Sequence, residues 1–350
     1  EFRFKTFFHK YEHRYVYMFC DLVCFLKRYG YRRNIDAICE AGYHVVVPDQ
    51  RGYGQTSKPR EVSAYEIQVL VQDNVALLDF LGIEKAVLVG HDWGGTLVWN
   101  FAMHFPERVA AVCSFCTPFF PPNPRKNPWK SMKSKPGGRF DYQLWFQGEE
   151  AETELEKDTR RTIKLIHRAV SGIILLRNIL FVPAACFHNF DNSDVCIDDM
   201  EKFVGGDPEI FRLPPTQKKG FLAGLGKSDE ISRSVILTAQ DLEYYGQNFD
   251  LSGFRGPLNW YRNVEANWKW NCSTAGKKLS VGIPALMVAA SDDAVLTPSM
   301  VESLRMSDWI PSLETKYIQD AGHWVLQEKP DQVNTILKEW LNKLNQNSRL

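Results

Sequence analysis

The stretch Val87-Leu-Val-Gly90-His-Asp92-Trp-Gly94-Gly95 constrains this chain more than any other. A β-branched apolar run, a glycine and a helix-forming run in succession predict a buried strand, a sharp turn and a helix. Asp92 stands at the apex. The spacing is G-x-D-x-G, where a nucleophilic serine elbow carries G-x-S-x-G. The swap changes the chemistry. A serine hydroxyl needs a neighbouring base, whereas a carboxylate with a pKa near ~4 is already an anion at neutral pH. On a carbonyl substrate an aspartyl nucleophile gives a labile anhydride. On an electrophilic saturated carbon it gives an ordinary ester, which water can cleave. The elbow therefore points to epoxides or alkyl halides rather than to esters and amides.

The rest of the chain supplies the frame for such an elbow. Apolar runs at residues 42–48, 85–90, 109–117, 283–290 and 315–320 read as strands. Helical spacing fills residues 65–81, 94–105 and 330–344. Strands that are apolar throughout and alternate with helices imply a mostly parallel sheet covered on both faces, an α/β fold. Residues 118–279 break the alternation. They open on a proline-rich stretch and continue with helical patterns and many aromatics, so they read as a helical cap inserted after one strand. Ligands in such sheets bind beyond the carboxyl ends of the strands, and a cap there would roof the site and exclude water. The expected division is a core of residues 1–117 and 280–350 with a cap of 118–279. Residues 1–28 show no obvious strand pair, and residues 173–215 carry an unusual apolar and then acidic insertion.

Composition narrows the function classes. The 350 residues carry zero formal net charge, so no basic stripe is available for nucleic acid. No run reaches the roughly 18 apolar residues of a membrane span. Eight cysteines are scattered without framework spacing, and Cys113-Ser-Phe-Cys116 lies in an apolar strand where buried free thiols are expected. Histidines and cysteines show no zinc spacing, so neither metal nor cofactor is expected. The ending Ser348-Arg349-Leu350 is like a small–basic–leucine peroxisomal address, which favours a cytoplasmic or peroxisomal protein.

Two further groups complete a catalytic set. Asp292 and Asp293 follow the strand ending at Ala290, and His323 follows the strand ending near Asp320. Both places lie just past strand carboxyl ends, in the chain order nucleophile, acid, histidine. His323 would take a proton from water. Asp293 would fix its tautomer, with Asp292 the competing choice. The backbone N–H of Trp93 would be one oxyanion donor. His91 receives no chemistry, and His44, His104 and His167 read as structural. Trp260, Trp268 and Trp270 read as core, some of them lining an apolar tunnel.

With these residues in place, the chain resembles the hydrolase domain of the soluble epoxide hydrolases, in the α/β-hydrolase superfamily. The matching stretches are residues 42–54, Gly90 to Gly95, Phe140-Asp-Tyr-Gln-Leu-Trp-Phe-Gln147, Gly253 to Asn263 with Asn267-Trp-Lys-Trp270, residues 283–293, and Gly322-His-Trp324. The resemblance runs from Tyr29 to Leu341. It implies an α/β-hydrolase core with a helical cap, an apolar lipid or xenobiotic epoxide as substrate with water as second reactant, and a homodimer as candidate assembly. It also implies that Tyr142 and Tyr261, in the cap, bind the epoxide oxygen. Neutral phenols can donate a proton to the alkoxide that ring opening creates. A haloalkane dehalogenase would instead aim donors such as tryptophan N–H at a halide. The chain departs from the family at Leu22-Val-Cys-Phe25, where members carry a His-Gly-x-Pro loop with the second oxyanion N–H. That absence keeps a weakly active or non-catalytic relative in view as the third reading, beside an atypical N-terminal sequence. No D-x-D-x-T phosphatase signature occurs.

Overall fold

The computed structural model describes residues 4–7, 15–19, 28–134, 140–168, 215–280 and 282–347. Among the described residues, seven strands form one sheet in the order β1-β3-β2-β4-β5-β6-β7. They are β1 (Phe4–Phe7), β2 (Tyr15–Phe19), β3 (His44–Pro48), β4 (Ala86–His91), β5 (Val109–Phe115), β6 (Ala285–Ala290) and β7 (Leu313–Ile318). Only β1 runs antiparallel, against β3, and every other pairing is parallel. All six residues of β4 and of β6 are buried. Their unbroken apolar runs follow from a sheet shielded on both faces.

Residues 1–28 depart from expectation, because two strands lie there. β2 occupies the slot between β3 and β4, with Val16 opposite both Val45 and Val87. The reason it is hard to see in the sequence is physical. An interior parallel strand has no polar–apolar alternation to betray it, and the five residues Tyr-Val-Tyr-Met-Phe run straight on into further apolar sequence. β-Branched and aromatic residues with partners on both sides suffice to make the strand.

Helices cover the sheet. α1 (Ile35–Glu40), α2 (Ile67–Phe80) and α3 (Trp93–His104) belong to the first half of the chain. α3 follows the elbow and packs on β4 and β5, with α2 beside it. Between β5 and β6 the described residues form helices and no strand. They include α4 (Asp141–Trp145), α5 (Thr159–Ile166), α6 (Ala239–Ser252), α7 (Arg255–Tyr261) and α8 (Val264–Asn271). α6 starts with a full capping box, Thr238 with Asp241, worth about 1 kcal/mol. After β7 come the short α9 (Val325–Glu328) and the long α10 (Pro330–Asn347), which packs on α1. The expected insertion at 173–215 falls outside the described residues except for its last position. Leu22 to Phe25 and Ser348 to Leu350 fall outside them entirely.

Candidate active site

The elbow is a strained turn held by close packing. Asp92 has φ 52° and ψ −118°, a backbone conformation that costs a non-glycine residue about 1–3 kcal/mol. Glycines are required two positions before it and three after it. A Cβ on Gly90 would strike the Gly94 carbonyl, and one on Gly95 would strike Ser114 and Thr117. The strain is retained because the turn is tied down. The Asp92 carbonyl accepts hydrogen bonds from the Thr96 amide at 3.0 Å and the Thr117 hydroxyl at 2.7 Å. Trp93 is the first residue of α3, so its N–H is one of the helix-start donors without a partner inside the helix.

Three strand ends converge at this turn. The Nε2 of His323 lies 3.2 Å from an oxygen of Asp92, and its Nδ1 lies 2.8 Å from Asp293. All three side chains are buried. The remaining oxygen of Asp293 accepts the amides of Val295 at 2.8 Å and Leu296 at 2.9 Å. Burial opposes ionisation of Asp293, but the facing imidazolium and these donors overcome it and hold the carboxyl down to about 2. Burial likewise opposes a charge on His323. The Asp293 carboxylate, assisted by Asp92, reverses that and raises its pKa well above the usual histidine range. Asp292 points elsewhere and accepts from the Ser291 hydroxyl at 2.8 Å.

Aromatic packing brings the two tyrosines to the elbow. Tyr261, at the end of α7, meets the Trp93 ring edge-on at a centroid distance of 5.2 Å. Tyr142, on α4, lies against Tyr261 at 5.9 Å, and Phe146 touches both at 5.4 and 5.1 Å. Both tyrosines are buried. α7 is seated on the turn after β3 by a close backbone approach. A Cβ on Gly256 would lie 2.8 Å from the Gly52 Cα, and Gly52 itself has φ +90°. The Trp260 indole N–H donates to the Arg51 carbonyl at 3.3 Å beside that contact. Asn263 donates to the Val62 carbonyl at 2.6 Å, and the Asn267 side chain accepts the Ile67 amide at 2.8 Å. The two asparagines thereby pin this end of the helical segment to the start of α2.

The family model for the alpha/beta hydrolase fold matches residues 25–330. The chain belongs to the α/β-hydrolases. Among similar proteins are bifunctional epoxide hydrolase 2 of Sus scrofa, 42% identical over 89% of this chain, and epoxide hydrolase A of Mycobacterium tuberculosis, 34% identical over 90% of this chain and 87% of its own. This α/β-hydrolase spans about half the length of the bifunctional relatives, 49% in the porcine case. The crystal structure of epoxide hydrolase A from Mycobacterium thermoresistibile superposes with a TM-score of 0.73 at 32% identity, covering 97% of this chain and 94% of that one. The similar sequences and the similar structure alike are named epoxide hydrolases.

Asp92, Trp93, Asp293 and His323 are thus gathered at one point, with Tyr142 and Tyr261 joined to them through the Trp93 ring. Cys113 and Cys116 are buried and free. Single ligand atoms of His91, Cys116 and His323 lie within 4.8 Å of one another, the arrangement closest to a metal set among the described residues. His91 and Cys116 direct those atoms at the His323 carbonyl, at 2.7 and 3.5 Å. Sequence reading assigns neither of them a role, and it misses Thr117 and Glu328. Glu328 accepts the amides of Gly322 at 3.1 Å and Trp324 at 3.0 Å. No motif marks such residues, because their partners are main-chain atoms.

Proposed function

We propose that this α/β-hydrolase is an epoxide hydrolase that converts epoxides to vicinal diols through a covalent ester on Asp92. The observation that carries the proposal is the bridge of His323 between two buried carboxylates, one of them at the nucleophile elbow. Its relatives are epoxide hydrolases by name, which agrees.

The geometry suits a two-step cycle. In the resting site the imidazolium of His323 sits between Asp293 and Asp92, and Asp92 is the anion that attacks an epoxide carbon. The ring opens and the oxygen leaves as an alkoxide. Tyr142 and Tyr261 hydrogen-bond that oxygen and supply its proton, which the site recovers from His323. Esterification removes the negative charge of Asp92, one of the groups holding the proton on His323. The imidazole, now neutral and oriented by Asp293, can accept a proton from water. Hydroxide adds to the ester carbonyl, whose developing charge faces the N–H of Trp93. Collapse releases the diol and restores the Asp92 carboxylate and the imidazolium.

Residues 118–279 act in this reading as a cap that carries the tyrosines and excludes water. The aromatic lining supplied by Trp93, Phe146 and the two tyrosines favours apolar epoxides, of lipid or xenobiotic type. The test is a trap. His323→Gln protein is mixed with an apolar epoxide or an alkyl halide and weighed intact. A stable adduct with the epoxide, mapped to Asp92, is the expected result. An adduct with the halide alone would make the protein a dehalogenase, and no adduct from folded protein would end the catalytic reading.

A further inference from the structure

The carbonyl oxygen of His323 has two lone pairs, and both are taken from below. His91 Nε2 lies 2.7 Å away. A carbonyl can only accept, so His91 must carry its proton on Nε2 and donate. The Cys116 thiol lies at 3.5 Å, within range of an S–H donor. Cys116 holds this place with φ 63°, an uncommon backbone conformation for a residue with a Cβ. On the other side of the same short segment, the Glu328 carboxylate takes the amides of Gly322 and Trp324. The main chain of residues 322–324 is therefore gripped at three points by three different parts of the chain. His91 is also the residue immediately before Asp92, and its ring lies 5.1 Å from that of His323.

We infer that His91 and Glu328 are positioning residues for the catalytic base. They hold the main chain of residues 322–324 so that the His323 imidazole meets both Asp92 and the incoming water. One peptide bond at the end of β4 then joins the nucleophile to the brace of its own base, and the spacing of the two is set there. The inference rests on the reading that His323 drives ester hydrolysis. Ester formation needs Asp92 and the tyrosines, whereas ester cleavage needs the base in register. Loss of a brace therefore slows the second step selectively. A displacement of the order of 1 Å at a reacting group can cost about 10²-fold.

The experiment follows the Asp92 adduct by intact mass after rapid mixing of the full chain with an apolar epoxide. His91→Leu, His91→Gln, Glu328→Ala and Glu328→Gln are compared, with His323→Gln as reference. In His91→Leu and Glu328→Ala the adduct is expected to form at nearly the normal rate and to decay about 10–10²-fold more slowly. Steady-state kcat and KM then fall together while kcat/KM holds. His91→Gln, which keeps an N–H donor, and Glu328→Gln, which keeps one acceptor, recover much of the decay rate. Equal slowing of formation and decay, or unchanged decay, overturns the inference. Glu328 is only half-buried, so its variants keep the test decisive if His91→Leu fails to fold. If His323→Gln itself traps nothing, the parent reading fails instead, and the two failures are told apart in one data set.

Discussion

At the carboxyl edge of the sheet, Asp92, Asp293 and His323 are fixed by hydrogen bonds and charge. In the helical segment, Tyr142 and Tyr261 are fixed by ring against ring. The first group sits on rigid strand ends, and each of its side chains is held by a polar partner, so a small chemical change there removes a function outright. The second group is a packed aromatic cluster, in which shape is kept by any ring and only the hydroxyls carry chemistry. A site built this way can lose a proton donor without losing its architecture, but it cannot lose a carboxylate so lightly.

Asp92→Ala should have the largest effect. Turnover is expected to fall by about 10⁴-fold or more, with no adduct in the intact mass. Residual adduct formation would mean that another group attacks. Asp293→Asn leaves the shape but not the charge that orients His323, and ester cleavage should slow by about 10³–10⁴-fold while adduct formation continues. Tyr261→Phe and Tyr142→Phe should each cost about 10²-fold, in adduct formation and not in decay. Thermal unfolding of both should stay near that of the parent, because the ring contacts survive. A large loss of stability with intact chemistry would reverse the contrast between the two groups.

The smallest effect concerns His167, which stacks on Trp324 at 4.4 Å and on Tyr245 at 5.2 Å. Both of its ring nitrogens are buried. Burial pushes its pKa down to about 3 from the ordinary 6.5. Between those values the unfolded chain binds a proton that the folded chain refuses, so stability falls as the pH drops through that window. His167→Phe keeps a ring in the stack and removes the titration. The stability lost between about pH 7 and pH 5 in denaturant melts should then shrink by about 2 kcal/mol. An unchanged pH dependence would show that the stack is looser than its ring distances imply.

The same contrast governs what is legible in the amino-acid sequence. The elbow is legible because its glycines are forced by sterics within a few residues of one another. Asp293 and His323 are legible because they follow apolar strands in a fixed order. The choice between Asp292 and Asp293 is not, since adjacent residues leave a strand end in different directions and only the fold says which one meets His323. β2 is hidden because its largely apolar run continues past the strand to Leu26 with no glycine or proline to mark an end. The tyrosines, on helices rich in aromatics, stand out only through resemblance, and no local rule separates them from Phe146 or Trp260. His91 and Glu328 act on main-chain atoms, which every residue possesses and no motif records.

The contact of Gly52 with Gly256 has a consequence for altering this protein. Elsewhere around the site a wall can be moved by choosing a longer or shorter side chain. Here two backbones touch with nothing between them, so the distance from the turn after β3 to α7, the helix that carries Tyr261, is a fixed length and not an adjustable one. Variants meant to admit bulkier substrates should therefore be sought at Phe146 or at Phe221, whose ring lies 6.0 Å from that of Tyr142 and 5.0 Å from that of Phe146, since these side chains can be trimmed, and substitutions at either glycine should tilt the whole of α7 away from Asp92.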